Sequence, residues 1–199
     1  MAIEIRDFDP RDSARLAEYS IAGMHFDQYM SSRLALSLYG RFFVAGELVH
    51  ASQAIAAYED GSLAGALFAD IAGEPHPYRT WPRRLFVGAV GLAARHAEAS
   101  YHEACRDMLA SYTAGRRVDG EICLLAADPR AKGKGIGTLL LDELVRREAG
   151  RHVYLYTDSN CTYQFYEHRG FERVGERAIG AGAGGRGMPL YCYLYARDL

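Results

Sequence analysis

The residues best placed to do chemistry lie in one short run, Lys132-Gly133-Lys134-Gly135-Ile136-Gly137-Thr138, where glycine recurs at every second position. With no Cβ atoms in the way, successive backbone N–H groups there can turn toward a single ligand. Ahead of the run, Ile122-Cys123-Leu124-Leu125-Ala126-Ala127 is short and apolar, as a buried strand is. Behind it, Ile136, Leu140 and Leu144 fall on one helical face, and Asp142/Arg146 and Glu143/Arg147 are spaced i,i+4 on the other. Strand, glycine loop and amphipathic helix together make an anion cradle at the positive end of a helix dipole. The guest it fits is a phosphate or pyrophosphate.

Spacing narrows the choice of guest. A nucleoside-triphosphate loop ends in Gly-Lys-Ser/Thr, whereas Lys134 is followed by Gly135. A dinucleotide fingerprint has its third glycine where Thr138 stands, and turns directly out of its strand without an intervening Asp128-Pro129-Arg130-Ala131. The whole run from Asp128 to Leu140 instead resembles the coenzyme A loop of the GNAT superfamily of N-acetyltransferases. That signature reads Arg or Gln, two residues, Gly, one residue, Gly or Ala; Lys132, Gly135 and Gly137 match it with Lys in the basic place. The resemblance implies that Lys132, Gly133, Lys134, Gly135, Ile136, Gly137 and Thr138 hold the pyrophosphate of acetyl-CoA, mostly through backbone amides. Lys132, Lys134 and Arg130 would add neutralising charge.

A second family motif, aromatic-Tyr-Glu-x-x-Gly-Phe, is carried by Phe165-Tyr166-Glu167-His168-Arg169-Gly170-Phe171. The resemblance implies that Tyr166 sits beside the coenzyme sulfur and protonates the departing thiolate. The chemistry is sound in itself, since collapse of a tetrahedral intermediate expels a thiolate of pKa near 8.5 and a phenol near 10 is a workable donor. The competing reading is one more packing aromatic among 14 tyrosines. Strand alternation predicts that Glu121, Cys123, Leu125 and Ala127 share one face. Glu121 falls where many GNAT members keep the carboxylate that takes a proton from the incoming ammonium, the alternative being a solvated residue at the strand start. The resemblance further implies that the backbone of Leu125, Ala126 and Ala127 pairs with the pantetheine arm, and that Ser159 or Asn160 contacts it.

These residues need a framework. Ile3-Glu4-Ile5-Arg6-Asp7-Phe8 alternates as a strand, Pro10 with Asp12-Ser13 opens a helix to about Met24, and a second helix spans roughly 31–50. In the second, Tyr39, Phe42 and Phe43 read mostly as core. Two strands flank an Asp60-Gly61 turn. After the glycine loop and its helix come a strand at 152–157, a helix at 159–168, a strand starting at Phe171, a glycine-rich connection at 180–187 and a final strand at 190–195. The expected fold is α/β (α+β): the GNAT fold, with a central mixed, mostly antiparallel sheet of about seven strands flanked by helices. Residues 1–199 are expected to form a single domain, with 72–119 as a helical insertion between the third and fourth strands. That insertion could be a lid, a dimer surface or a pack against the sheet. The small residues Gly88, Ala89, Gly91, Ala93 and Ala94 favour packing or dimerisation, and Tyr78, Arg79, Trp81, Arg83 and Arg84 read as a solvated loop.

Composition fits one core of this size: 199 residues, 49% hydrophobic. A net charge of -2 gives no general attraction to nucleic acid or to an anionic membrane. The four cysteines form no CxxC pair, and His96 and His102, six apart, fall on different helical faces. Free thiols in a cytoplasmic setting and no metal site are the expectation. The opening residues do not have the pattern of a signal peptide. The function this implies is transfer of acetyl from acetyl-CoA to a primary amine, on a small molecule or a protein, by direct attack in a ternary complex, with a homodimer possible and neither nucleic acid nor membrane as partner. The alternative is a non-catalytic acyl-CoA-binding or sensor module.

Overall fold

The computed structural model describes residues 2–28, 30, 32–94, 99–181 and 189–199. Seven strands form one sheet in the order β1-β2-β3-β4-β5-β7-β6. They are β1 (Ile3–Asp7), β2 (Gln53–Glu59), β3 (Ser62–Ile71), β4 (Gly120–Ala127), β5 (His152–Asp158), β6 (Glu172–Ala181) and β7 (Pro189–Asp198). Every neighbouring pair is antiparallel except β4 with β5. The β2–β3 turn works because Asp60 and Gly61 both adopt positive φ, 48° and 80°, the backbone a tight two-residue hairpin demands.

Helices cover both faces. On one lie α1 (Ser13–Gly23) and α2 (Arg33–His50), whose Leu16, Ala17, Val44 and Leu48 bury against Ala54, Ala56, Ala66, Phe68 and Leu124 of the sheet. On the other, α5 (Ile136–Arg147) buries Ile136, Leu140, Leu141 and Leu144 against Ile55, Leu67, Ile71 and Leu155. Side chains of that kind contribute roughly 1.5–3 kcal/mol each when fully buried, so this face fixes where α5 begins. The short α6 (Gln164–His168) follows β5; the expected helix from 159 onward is reduced to its last turn and a half because 159–163 form a turn closed by Asp158.

The segment between β3 and β4 forms two helices, α3 (Trp81–Ala94) and α4 (Ala99–Thr113). They take separate places. α3 packs on α2, where a Cβ at Gly91 would lie 3.6 Å from the Phe42 ring. α4 lies against β6 and β7, with Cys105 and Met108 on Cys192 and Leu194, and with Tyr154 and Tyr156 of β5 at its edge. Tyr78, expected in a solvated loop, instead packs on the α1–α2 core and donates to the Phe8 carbonyl, while Trp81 is 72% exposed. The glycine-rich connection falls, from 182 to 188, outside the described residues, as do Ser31 and His96. Among the described residues no helix is long and apolar enough to cross a membrane.

One expectation for β4 is corrected. Glu121, Cys123, Leu125 and Ala127 do not share a face, because the β3–β4 register jumps from Ala69↔Ile122 to Phe68↔Leu124 and leaves Cys123 as an extra, bulged residue. Past the bulge the alternation is out of phase. Ile122, Leu125 and Ala127 face the α5 side, and Leu124 and Ala126 the α1–α2 side. Glu121, before the bulge and opposite to Ile122, therefore points to the face that carries α2 and α4.

Candidate active site

The parallel ladder between β4 and β5 has two rungs, Gly120↔Val153 and Glu121↔Tyr154, and then the strands part. β3 continues to bond β4 on one side and β7 continues to bond β5 on the other. From Ile122 to Ala127 the inner edge of β4 is thus a strand edge inside a sheet, open to an extended chain of suitable width. The bulge at Cys123 lies at the apex of this slot, where it bends β4 away from β5.

The glycine loop closes the slot's far end. Asp128 fixes its start by accepting from the Tyr19 hydroxyl at 3.2 Å and from the Arg130 amide and guanidinium at 2.8–3.2 Å. Those bonds hold the Asp128 carboxyl down at about 2, the side-chain bond from Arg130 contributing most. Gly133 and Gly135 have φ of 87° and 73°, and no protein atom lies within 4 Å of where a Cβ would stand at either. Gly135 caps α5 without a side-chain bond, and the first turn of α5 begins with Leu139 N–H donating to Gly135. Among the described residues the amides of Gly133, Ile136 and Gly137 find no backbone acceptor in this turn, as expected for the first donors of a helix. They form an open anion cradle.

The structure sorts the basic residues around it. Arg130 is forked onto Asp128, and Lys134 is ion-paired with Glu59 at 2.6 Å, while Lys132 stands exposed. A further cation was not singled out by spacing: Arg169, from the loop after α6, donates to the Thr138 hydroxyl at the start of α5 and lies over the Phe165 ring. Its signal was present as an unspecified position of the Tyr166 motif. Phe165 in turn comes within 3.3 Å of a Cβ placed on Gly137, whose third neighbour is Leu125. Any side chain there would press on the ring, which would have to give by a few tenths of an ångström, and this close approach ties α6 to the cradle.

Tyr166 is half-buried in an aromatic group, edge-on to Phe165 and Phe171 and tilted against Tyr195. Among the described residues its hydroxyl has no hydrogen-bond partner. Burial, and then the neighbouring Cys161, push the phenol well above its ordinary range, so it stays protonated at neutral pH. Ser159 is held to β7: its amide donates to the Tyr191 carbonyl and its hydroxyl accepts from the Tyr191 amide. Asn160 is exposed in the turn, with its amide on Asp158.

Glu121 occupies the apex from the other face. Tyr154 donates to its Oε2 at 2.9 Å, and Asp70 is its direct cross-strand neighbour on β3. Burial raises the Glu121 carboxyl above its ordinary value, with Asp70 adding to the effect and the Tyr154 bond opposing it. Asp70 itself bonds His76 at 3.0 Å. The Cys123 thiol beside them is pushed well up by burial and by the charges of Glu121, Glu47 and Asp70. Carboxylates on α2, β3 and β4 thus face the same region, which favours a cation and disfavours a thiolate. Among the described residues no three His, Cys, Asp or Glu side chains are grouped so as to hold a metal ion.

Residues 86–173 match the family model for the acetyltransferase (GNAT) domain, a stretch that includes the two-rung ladder, the cradle and Tyr166. The chain has the GNAT fold. Solved structures agree over the full length of the fold. An N-acetyltransferase from Staphylococcus aureus Mu50 is 19% identical over 100% of this chain and 99% of its own, with a TM-score of 0.54. Ard1 from Thermoplasma volcanium is 15% identical over 100% and 99%, with a TM-score of 0.57. PaiA N-acetyltransferase from Thermoplasma acidophilum, solved in complex with coenzyme A, is 16% identical over 100% of both chains, with a TM-score of 0.55. No curated protein sequence matches the chain. The parted strands, the bulge and the glycine loop all fall within the matched stretch, which starts within α3 and includes α4.

Proposed function

We propose that the chain is an N-acetyltransferase that moves an acetyl group from acetyl-CoA to a primary amine by direct attack within a ternary complex. The observation that carries this reading is the open inner edge of β4 running straight into an unfilled glycine cradle. A thin pantetheine arm can add to the edge of Leu125–Ala127 as a strand would, and a pyrophosphate can take the free amides of Gly133, Ile136 and Gly137, with Arg169 and Lys132 near it as cations. The complex of PaiA from Thermoplasma acidophilum with coenzyme A supports the same class of ligand. Acetyl-CoA supplies the activated carbonyl and the thiolate leaving group.

The chain's own residues then divide the proton work. An amine acceptor arrives as an ammonium ion, is attracted by the carboxylates of Glu121 and Asp70, and gives its proton to Glu121 before its lone pair can attack. As the C–N bond forms and the C–S bond breaks, Tyr166 gives its phenolic proton to the departing sulfur, and the second proton that the acylated nitrogen must lose restores the Tyr166 phenol. The raised phenol makes it a retained donor and not an anion at neutral pH. A covalent route through cysteine is disfavoured: Cys161 is pushed up to about 12 and Cys123 well above its ordinary value, chiefly by burial, which leaves almost no thiolate to act as nucleophile.

The test is titration calorimetry with acetyl-CoA on the wild type and on Gly135→Glu, followed by transfer assays over small-molecule and protein amines. Binding that the substitution abolishes, with acetylation of an amine, supports the proposal. Binding without transfer to any amine would favour a non-catalytic acyl-CoA module, and absence of binding would overturn both.

A further inference from the structure

Glu121 and Tyr154 form the last rung before β4 and β5 separate, and at that rung the Tyr154 hydroxyl donates to Glu121 Oε2 at 2.9 Å. The other carboxylate oxygen is in a different position. Among the described residues no fully buried side-chain oxygen lacks a hydrogen-bond partner, and Oε1 of Glu121 has none, so Oε1 is open to the slot or to solvent. One oxygen is held and one is available.

Tyr154 is itself well anchored. Its ring stands edge-on to Tyr156 with centroids 5.6 Å apart, and the Tyr156 hydroxyl donates to the Cys105 carbonyl of α4 at 3.0 Å. A continuous line of contacts therefore runs from α4 through Tyr156 and Tyr154 to the carboxylate. The groups facing Glu121 are otherwise acidic or neutral: Asp70 on β3, which His76 binds, Cys123 on β4, Tyr156 on β5 and Cys105 on α4, with Glu47 of α2 acting on Cys123. None of these is a lysine or arginine. Tyr154 is the donor that this carboxylate has among the described residues, and burial together with the Glu121 charge raises the Tyr154 phenol far enough to keep it protonated.

We propose that Tyr154 is a positioning residue for acetyl transfer, fixing Glu121 through Oε2 so that Oε1 is the atom presented to the acceptor amine. The inference rests on the function proposed above for Glu121. A hydrogen bond donated to a carboxylate stabilises its ionised form. Without it the burial of Glu121 and the charge of Asp70 act unopposed, the carboxyl holds its proton to higher pH, and less of the enzyme is ready to deprotonate an ammonium. α4 would then contribute to catalysis without touching substrate, by bracing Tyr156 against Tyr154.

The experiment compares wild type, Tyr154→Phe, Glu121→Gln and the double variant. Glu121 is titrated by 13C NMR of its side-chain carboxyl, assigned by the signal that Glu121→Gln loses. In Tyr154→Phe the midpoint should rise by about one pH unit or more, the size expected for one hydrogen bond to a charged group. The acid limb of kcat/KM should move up by the same amount, with coenzyme A affinity within about two-fold of wild type, and the double variant should transfer no more slowly than Glu121→Gln alone. An unchanged Glu121 midpoint, or a Tyr154→Phe defect that simply multiplies that of Glu121→Gln, would overturn the proposal. Glu121→Asp provides a second route if Tyr154→Phe does not fold, because the shorter side chain withdraws from Tyr154 while leaving the phenol in place, and its carboxyl should also titrate higher than Glu121 does. Should wild-type protein transfer acetyl to no amine, the function proposed above fails, and the NMR titration still decides whether Tyr154 holds the carboxylate.

Discussion

Cys105 in α4 and Cys192 in β7 are buried with their sulfurs 3.6 Å apart, a contact between residues 87 apart in sequence. It is the centre of the small core that seats α4 on β6 and β7, together with Met108 and Leu194. The hydrogen bond to Cys192 and burial both push the Cys105 thiol up, so it is a poor target for an alkylating reagent. Iodoacetamide should label neither residue in native protein within the time that labels both in denaturant, as read by mass spectrometry of peptides. Replacing Cys192 by Asp, which sets a carboxylate into that core, should destabilise the fold by about 3 kcal/mol or more in urea titration. A loss below about 1 kcal/mol would mean that α4 is seated by something else.

Tyr166→Phe removes one oxygen from a ring whose packing against Phe165, Phe171 and Tyr195 is otherwise kept. Because the hydroxyl has no partner among the described residues, the substitution should leave thermal stability within about 0.5 kcal/mol of wild type. Acetyl transfer should fall by roughly 10²–10⁴-fold while the affinity for coenzyme A, measured by calorimetry, stays the same. Equal rates in the two proteins would remove Tyr166 from the chemistry and leave it as a packing residue.

Gly135→Ala separates the cradle from the fold. The residue has φ of 73°, so a side chain there is strained by roughly 1 kcal/mol, but no protein atom lies within 4 Å of the new Cβ. The variant should fold with that modest loss. Any ligand lying against the amides must meet the methyl group, so coenzyme A affinity should drop at least ten-fold. Unchanged affinity would place the ligand elsewhere.

What the sequence displayed plainly was local. The cradle is a run of consecutive residues whose glycines, flanking apolar strand and helical periodicity all point the same way, and α5 begins at Ile136, where that pattern puts it. The Asp60-Gly61 turn was legible for the same reason. What was not legible depended on partners distant in the chain. The bulge at Cys123 is a mismatch between β4 and β3, and no property of β4 alone reveals it, so strand alternation put Glu121 and Leu125 on one face where the sheet separates them. That Ser159 is tied to β7, its amide donating to the Tyr191 carbonyl and its hydroxyl oxygen accepting from the Tyr191 amide, could be seen only once β7 was in place. Arg169 lay inside a recognised motif, and its approach to Thr138 needed α6 to be folded onto α5 before it could be seen. Spacing also paired Asp142 with Arg146, but Glu143 takes both Arg146 and Arg147.

That last arrangement has a pH consequence. Glu143 accepts from Arg146 at 2.7 Å and from Arg147 at 2.8 Å, and these bonds, Arg146 first, hold its carboxyl down at about 2 from an ordinary 4.5. Arg147 also reaches Asp7 at the outer strand β1 and Gln53 at the start of β2, so the group braces α5 against the sheet edge. A carboxyl whose value is lowered by folding binds fewer protons in the native state than in the unfolded one, so its stabilisation is present above the unfolded value and disappears as pH falls toward the folded value. For Glu143 that window runs from about 4.5 down to about 2. The bridges lie at the surface, so their contribution is modest. Glu143→Gln should lower the melting temperature by about 2 °C at pH 7, and the gap between variant and wild type should close as the scan is repeated from pH 5 to pH 2.5. A gap that stays constant across that range would show that the substitution acts through packing and not through charge.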